Sequence, residues 1–133
     1  MKEATPAGEP GAARATILVV EDEPLLRMAV CDSLHDAGFA AIGAADSSEA
    51  IRILHENDSV ALVFSDINLP GGMNGDELAV LIRHGYPAIK ILLTSGRSAR
   101  VDPDFPFLAK PFFFHEMRRR IEALLGLATP LRA

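Results

Sequence analysis

Short apolar runs alternate with stretches of helical periodicity along most of the chain. The clearest runs lie at residues 17–20, 60–64, 88–93 and 105–109, and a weaker one lies at 39–45. Apolar runs of this length without alternation are typical of strands that are buried on both faces, as in parallel sheets. The pattern therefore predicts five short strands.

Helical signals separate most of these strands. Pro24 suits a first helical position with Glu23 as the cap, and Gly38 suits the end of the same helix. Asp46 stands three residues before Glu49, which is the spacing of a capping box. Two later helices are indicated by apolar residues on one face, first Leu78, Leu81 and Ile82, then Phe114, Met117, Ile121 and Leu124.

Strands that alternate with helices imply right-handed βαβ units and a parallel sheet with helices on both faces. Five such strands predict the α/β class, with a flavodoxin-like, doubly wound, five-stranded parallel sheet of order 2-1-3-4-5. Between the fourth and fifth strands the segment 97–104 is short, and Pro103 and Pro106 stand at its end. We expect the fourth helix of the fold to be truncated or absent there, because proline interrupts helices.

The boundaries of the domain follow from composition. Residues 1–14 are rich in Ala, Gly, Pro and Glu and lack periodicity, which predicts a disordered leader. A single domain is then expected over residues 15–126, with 127–133 as a C-terminal tail. No output domain is expected after it.

Composition excludes several classes of protein. Of the 133 residues, 49% are hydrophobic and 23% are charged, which indicates one globular domain. The net charge of −5 argues against a nucleic-acid binder that is held by phosphate contacts. Cys31 is the only cysteine, so an internal disulfide and a cysteine-based metal site are excluded. Neither a membrane span nor a secretory signal is expected, so a cytoplasmic location is predicted.

Polar residues stand where the predicted strands end. Glu21 and Asp22 follow the first strand, Asp66 the third, Thr94 the fourth and Lys110 the fifth. In open α/β sheets, ligands bind outside the carboxyl ends of the strands. Three acids, one hydroxyl and one amine are therefore expected at one rim of the sheet.

This set of side chains suits phosphoryl chemistry. Clustered carboxylates need counter-charge, which Lys110 and a hard divalent cation would supply. Mg²⁺ needs only one or two carboxylates when it also binds phosphate, and Asp22 and Asp66 suit that role with Glu21 behind them. A carboxylate such as Asp66 can also attack a phosphoryl group, with Thr94 and Lys110 neutralising the phosphoryl oxygens.

The residues at the strand ends resemble those of the receiver domains of two-component signalling, the CheY-like superfamily. The four motifs are Val-Val-Glu-Asp-Glu-Pro at 19–24, Ser-Asp-Ile-Asn-Leu-Pro-Gly at 65–71, Leu-Leu-Thr-Ser-Gly at 92–96 and Lys-Pro-Phe at 110–112. All four occur in order, each at a strand end, and the resemblance covers roughly residues 15–126.

The resemblance implies a metal site around a phosphoacceptor. Asp66 would be the phosphoacceptor and a ligand of Mg²⁺ or Mn²⁺. Asp22 would be a direct ligand, and Glu21 would lie in the surrounding shell. The backbone carbonyl of Asn68, two residues past the acceptor, would complete the protein ligands.

The resemblance also assigns residues that respond to the phosphoryl group. Thr94 would donate a hydrogen bond to a phosphoryl oxygen, and Lys110 would form an ion pair with it. Phe107 would be the switch aromatic, and we expect it to pack inward or under the short 97–104 segment because burying Phe costs no hydrogen bond. Pro111 would follow a cis peptide bond.

The implied protein is a signalling switch and not a turnover enzyme, although slow autodephosphorylation is compatible with it. Its expected partners are a sensor histidine kinase or a histidine phosphotransfer protein, followed by an unidentified downstream protein. We expect a monomer or weak homodimer of the single-domain type that acts by protein contact, as a relay or as a phosphate sink. An origin in a larger hybrid kinase stays open.

The alternative is a small metal-dependent phosphohydrolase that uses an aspartyl-phosphate, similar to haloacid dehalogenases. Those enzymes open their nucleophile motif with Asp-x-Asp, whereas Asp66 is followed by Ile67 and Asn68. They also carry further acids late in the chain and usually a cap. The sequence favours the switch.

Several residues have simpler explanations. Asp22 or Glu23 alone could be a helix cap. The glycine-rich segment 71–75 lacks the Gly-Lys-Ser/Thr ending of a phosphate-binding loop and is interpreted as a turn. The arginines at 118–120 fit a solvated helix face, and Phe113 suits either a partner contact or a packed loop. The histidines are expected to be exposed: His35, His55, His84 and His115.

Overall fold

The architecture is taken from a computed structural model that describes residues 13–96 and 104–127. The elements in chain order are β1 (Thr16–Val20), α1 (Pro24–Asp36), β2 (Ala40–Ala44), α2 (Ser47–Glu56), β3 (Val60–Asp66), α3 (Gly75–Gly85), β4 (Lys90–Ser95), β5 (Phe107–Ala109) and α4 (Phe114–Leu125).

The five strands form one parallel sheet in the order β2-β1-β3-β4-β5. This order confirms the predicted flavodoxin-like fold. It places β1 and β3 beside each other at the centre, with β4 next to β3. The carboxyl ends of β1, β3, β4 and β5 therefore meet along one rim.

Both faces of the sheet are covered, because alternate residues of each strand enter different clusters. Leu18 and Val20 of β1 pack with apolar residues of α2 and α3, whereas Ile17 and Val19 pack with residues of α1 and α4. All four are at most 1% exposed. Continuous apolar strands are thus explained by a sheet with helices on both sides.

Side chains cap the N-termini of α1 and α2. The Glu23 carboxylate accepts the Leu26 N–H at 2.9 Å, as the sequence predicts for α1. Asp46 accepts the Glu49 N–H at 2.8 Å, but the Glu49 carboxylate accepts from Ala45 and not from Asp46. The predicted capping box of α2 is thus only half formed.

The α3 helix has a complete capping box, which was not predicted from the sequence. The Asn74 side chain accepts the Glu77 N–H, and the Glu77 carboxylate accepts the Asn74 N–H. Asn74 lies in the glycine-rich segment that we interpreted as a turn. The last two residues of that segment are therefore the N-cap and the first residue of α3.

The fifth strand is shorter than predicted, since it begins at Phe107 and not at residue 105. Pro106 lacks the N–H that a strand needs for pairing, although its carbonyl still accepts the Leu93 N–H at 2.9 Å. Phe105 is buried without belonging to the strand. The predicted truncation or loss of the helix between β4 and β5 concerns residues 97–103, which lie outside the described residues.

The predicted leader and tail fall mostly outside the described residues, which begin at Ala13 and end at Leu127. Arg14, the last residue of the predicted leader, already belongs to the folded structure. Its N–H donates to the Gly38 carbonyl at 2.8 Å, and its guanidinium pairs with the Glu122 carboxylate at 2.8 Å. Within the described parts of the chain, no helix combines the length and apolar character needed to cross a membrane.

Candidate functional site

Three carboxylates meet at the rim formed by the carboxyl ends of the strands. Glu21 directly follows β1, Asp22 comes next, and Asp66 is the last residue of β3. One ligating oxygen from each lies within 4.8 Å of the others. Glu21 and Asp66 are buried, whereas Asp22 is exposed. The predicted acidic cluster is therefore formed, with one acid open to solvent.

Lys110 provides the positive charge of the cluster. Its Nζ donates to Asp66 Oδ2 at 2.8 Å and to Glu21 Oε1 at 3.0 Å. Burial acts to lower the pKa of Lys110, but its hydrogen bonds to Asp66 and Glu21 outweigh that effect and raise the pKa above its ordinary value. Lys110 is therefore a permanent cation at neutral pH.

Four hydrogen bonds fix the position of Glu21. Its N–H donates to the Ala44 carbonyl at 2.9 Å, and its own carbonyl accepts from Arg27 at 2.8 Å. Its carboxylate accepts from the Glu23 N–H at 3.1 Å and from Lys110. Burial raises the pKa of Glu21, although the hydrogen bonds from the Glu23 N–H and from Lys110 act to lower it. Glu21 is therefore fixed through both its backbone and its carboxylate.

Asp66 and the turn after it are also fixed by hydrogen bonds. Asp66 Oδ1 accepts the Asn68 N–H at 3.0 Å, so both carboxylate oxygens have partners. The Asn68 side chain donates to Ser95 Oγ at 2.9 Å, which ties the turn to the end of β4. The role implied for the Asn68 carbonyl as a metal ligand stays a prediction.

Gly75 allows α3 to begin directly against Asp66, the last residue of β3. A Cβ at this position would overlap the Asp66 carbonyl oxygen and would lie 2.8 Å from Ile67 Cα. The Gly75 N–H donates to the Ile67 carbonyl at 2.7 Å. The close approach requires glycine here, and it holds the backbone of Asp66 in place.

Thr94 lies beside Asp66 in the β3–β4 ladder. Its hydroxyl oxygen is buried, and among the described residues it has no hydrogen-bonding partner. A buried hydroxyl without a partner costs free energy, so an unsatisfied one needs an explanation. A ligand oxygen bound beside Asp66 would supply the missing partner.

The structure also describes the surroundings of Phe107, Pro111 and Phe113. Phe107 is half-buried and packs against the cluster that contains α2 and α3. The Lys110–Pro111 peptide bond is cis. Phe113 is 72% exposed and stacks on His115, with ring centroids 5.6 Å apart. Its environment is that of a surface residue and not of a packed loop.

Three residues that contact the site have no role in the sequence-based predictions: Arg27, Gly75 and Ser95. Arg27 donates to the Glu21 carbonyl from within α1, Gly75 acts through its close approach to Asp66, and Ser95, the last residue of β4, accepts from Asn68. Only Ser95 carried a local signal, since it lies next to Thr94.

Comparison with known proteins identifies the family. The family model for the response regulator receiver domain matches residues 17–122. This range includes every strand except the first residue of β1, and all the residues of the rim described above. The chain therefore belongs to the response regulator receiver domain family of two-component signalling.

Individual relatives agree with that assignment. The chain is 34% identical over 119 residues to the sensor kinase CckA of Brucella abortus, which covers 84% of this chain and 12% of the kinase. It is 32% identical over 106 residues to a response regulator receiver protein of Anaeromyxobacter, covering 79% of this chain and 43% of that protein. The chain thus spans less than half the length of these curated relatives.

Solved structures of similar proteins share the fold. The receiver domain of the hybrid histidine kinase CckA has a TM-score of 0.74 at 29% identity and covers 84% of this chain and 99% of that domain. The response regulator TrrA of Thermotoga maritima, solved in complex with Mg²⁺ and BeF, has a TM-score of 0.75 at 30% identity, over 83% of this chain and 98% of that protein.

Proposed function

We propose that this domain is a phosphoacceptor switch in which Asp66 receives a phosphoryl group from a sensor histidine kinase or a histidine phosphotransfer protein. The observation that carries the proposal is the buried hydroxyl of Thr94 beside Asp66, which has no partner in the described parts of the chain, together with the Lys110 ammonium at 2.8 Å from the acceptor carboxylate. A hydroxyl and a cation at an acidic nucleophile suit the negative oxygens of a phosphoryl group.

The acidic cluster fits a divalent cation. The three carboxylate oxygens lie close enough for one ion, and oxygen donors are the ligands that Mg²⁺ and Mn²⁺ prefer. Asp22, Asp66 and the backbone carbonyl of Asn68 would hold the ion, with Glu21 behind them. When bound, the cation would neutralise charge on the phosphoryl oxygens and on the acceptor.

The remaining chemistry is done by residues of the chain. A carboxylate oxygen of Asp66 attacks phosphorus, the new P–O bond forms, and the P–N bond of the donor phosphohistidine breaks in line with it. The bond-breaking electron pair returns to the donor imidazole, which takes a proton from solvent. The Thr94 hydroxyl then donates a hydrogen bond to one phosphoryl oxygen, and the Lys110 ammonium pairs with another.

The switch response would involve Phe107. The new group adds roughly −1.5 to −2 charge at a buried rim. Thr94 pairs with Leu108 in the β4–β5 ladder, so Phe107 lies next to the residue paired with Thr94. A shift of the Thr94 hydroxyl toward the phosphoryl group would change the space available to this half-buried ring, and Phe107 would pack inward in the phosphorylated form.

The whole protein would act in the cytoplasm by protein contact, as a relay or as a phosphate sink. Its negative charge does not favour nucleic acid as a partner. A monomer or weak homodimer that accepts a phosphoryl group without catalytic turnover fits the site. Similarity to the receiver of a hybrid kinase also makes a phosphorelay a reasonable setting.

The proposal is tested by incubating the protein with acetyl phosphate and Mg²⁺ and measuring its intact mass. We expect one phosphoryl group per chain, which is lost without Mg²⁺ and in Asp66→Asn. Asp58→Asn is the matched control, because Asp58 is exposed in the loop after α2. Phosphorylation of Asp66→Asn to the wild-type extent would contradict the proposal.

A further inference from the structure

A long side chain from α1 holds the backbone of the acidic pair. Arg27 lies one turn into α1, and its Nη1 donates to the Glu21 carbonyl oxygen at 2.8 Å. We propose that Arg27 is a positioning residue for the metal site, which fixes the peptide unit leading into Asp22 and thereby the ligand that Asp22 offers. This inference rests on the proposed function, because it assigns a role toward the same cation.

Gly43 in β2 makes room for this arginine. A Cβ at Gly43 would lie 3.1 Å from Arg27 Cδ and 3.2 Å from Arg27 Cγ. Carbon atoms that touch without strain are about 3.5–4.0 Å apart. Gly43 pairs with Val19 inside the sheet and is not among the glycines with positive φ. The absence of a side chain therefore serves the arginine stem and not the backbone conformation.

The bond to the carbonyl of Glu21 controls Asp22 because a peptide unit is planar. The Glu21 carbonyl and the Asp22 N–H lie in one plane, so fixing the oxygen fixes the direction in which the chain leaves β1. Glu21 is buried, whereas Asp22 is exposed and is placed less by packing than by its backbone. Without the arginine, this peptide unit can rotate and the oxygens of Asp22 lose their fixed position.

Two substitutions break this contact in different ways. Arg27→Met keeps an apolar stem over Gly43 but removes the donor. Gly43→Val keeps the arginine but fills its space, while a β-branched residue remains favourable in a strand. Arg52→Met is the matched control, because Arg52 is exposed on α2 and pairs only with Glu49 and Glu56 among the described ion pairs.

The measurements are the Mg²⁺ dissociation constant by calorimetry and the rate of phosphorylation by acetyl phosphate over a range of Mg²⁺ concentrations. We expect Arg27→Met and Gly43→Val each to weaken Mg²⁺ binding about tenfold, the size of effect that residues supporting metal ligands have. The rate at saturating Mg²⁺ should stay near that of the wild type, as should all values for Arg52→Met. A general loss of structure would instead lower the saturated rate.

A double variant tests whether both changes act through one contact. If they do, the double variant should have a Mg²⁺ affinity within about twofold of that of the single variant that binds Mg²⁺ more weakly. Unchanged Mg²⁺ affinity in Arg27→Met, or losses that multiply in the double variant, would overturn the inference while leaving the phosphoacceptor role intact. A wild-type protein that neither binds Mg²⁺ nor accepts a phosphoryl group would overturn the proposed function, and this inference with it.

Discussion

We expect the hydroxyl of Thr94 to be needed for phosphorylation but not for the stability of the fold. Its hydroxyl is buried beside Asp66 and makes no hydrogen bond within the part of the fold that the structure describes. Thr94→Val removes that hydroxyl at nearly constant volume. We expect the free energy of unfolding to stay the same or to rise by up to about 1 kcal/mol, and phosphorylation by acetyl phosphate to slow at least about tenfold.

Urea unfolding and the rate of mass increase with acetyl phosphate measure the two effects of this substitution. Thr94→Ser is the control, because it keeps the hydroxyl and should retain most of the rate. A Thr94→Val protein that phosphorylates at the wild-type rate, or that loses stability by several kcal/mol, would contradict the assignment of Thr94.

The residues of the rim could be predicted from the sequence because each stands at the end of a strand or just after it. Glu21, Asp66 and Lys110 are brought together by strand order alone, and the structure places them within hydrogen-bonding distance. Arg27 could not be predicted in the same way. Its bond to Glu21 depends on the packing of α1 over β2 and on the space at Gly43, neither of which leaves a local pattern.

At the scale of elements, the start of α3 is fixed by Gly75. A side chain there would overlap the Asp66 backbone, so Gly75→Ala must move α3 or β3. We expect this substitution to lower the free energy of unfolding by about 1–3 kcal/mol, as overpacking does. It should also slow phosphorylation, because Asp66 shifts with its backbone.

Gly85→Ala is the control for the same helix, since a Cβ at Gly85 meets nothing within 4 Å. It should be neutral or stabilise by up to about 1 kcal/mol through helix propensity. Thermal or urea unfolding of the two variants measures the difference. Equal stabilities for Gly75→Ala and Gly85→Ala would show that the close approach at Asp66 is not important.

The boundaries of elements were predicted less well than their existence. The α1 and α2 caps at Glu23 and Asp46 are visible locally and are correct, whereas the Asn74 capping box was hidden in a glycine-rich segment interpreted as a turn. The start of β5 was placed two residues early, because Phe105 is as apolar and as buried as a strand residue but precedes Pro106.

At the scale of the whole molecule, Arg14 connects the start of the domain to its last helix. Its guanidinium pairs with the buried Glu122 carboxylate at 2.8 Å, donates to the Ala37 carbonyl and lies 4.7 Å from the centre of the Phe39 ring. We expect Arg14→Met to lower the free energy of unfolding by about 1.5–3 kcal/mol, the range for hydrogen bonds to charged groups.

Arg52→Met is the comparison for this prediction, because the exposed pairs of Arg52 should be worth no more than about 1 kcal/mol. Urea unfolding under identical conditions gives both values. If the two substitutions cost the same, the contacts of Arg14 would not be part of the stable fold.

The overall fold could be predicted from the sequence more completely than the individual side-chain contacts could. Alternation of apolar strands and amphipathic helices defines a parallel sheet, and the observed strand order agrees with the prediction. Connections of this kind are almost always right-handed, which leaves few topologies for five strands. The helix expected between β4 and β5 is the part that stays untested, since residues 97–103 lie outside the described residues.

The central claim, that Asp66 is the phosphoacceptor, is tested most directly by locating the modified residue. The protein is phosphorylated with acetyl phosphate and Mg²⁺, and borohydride then reduces the acyl phosphate to an alcohol that peptide mass spectrometry can identify. We predict homoserine at position 66, formed only with Mg²⁺ present, and an unmodified Asp22. Reduction at another carboxylate, or no reduced residue in a protein that has gained a phosphoryl group, would contradict the claim.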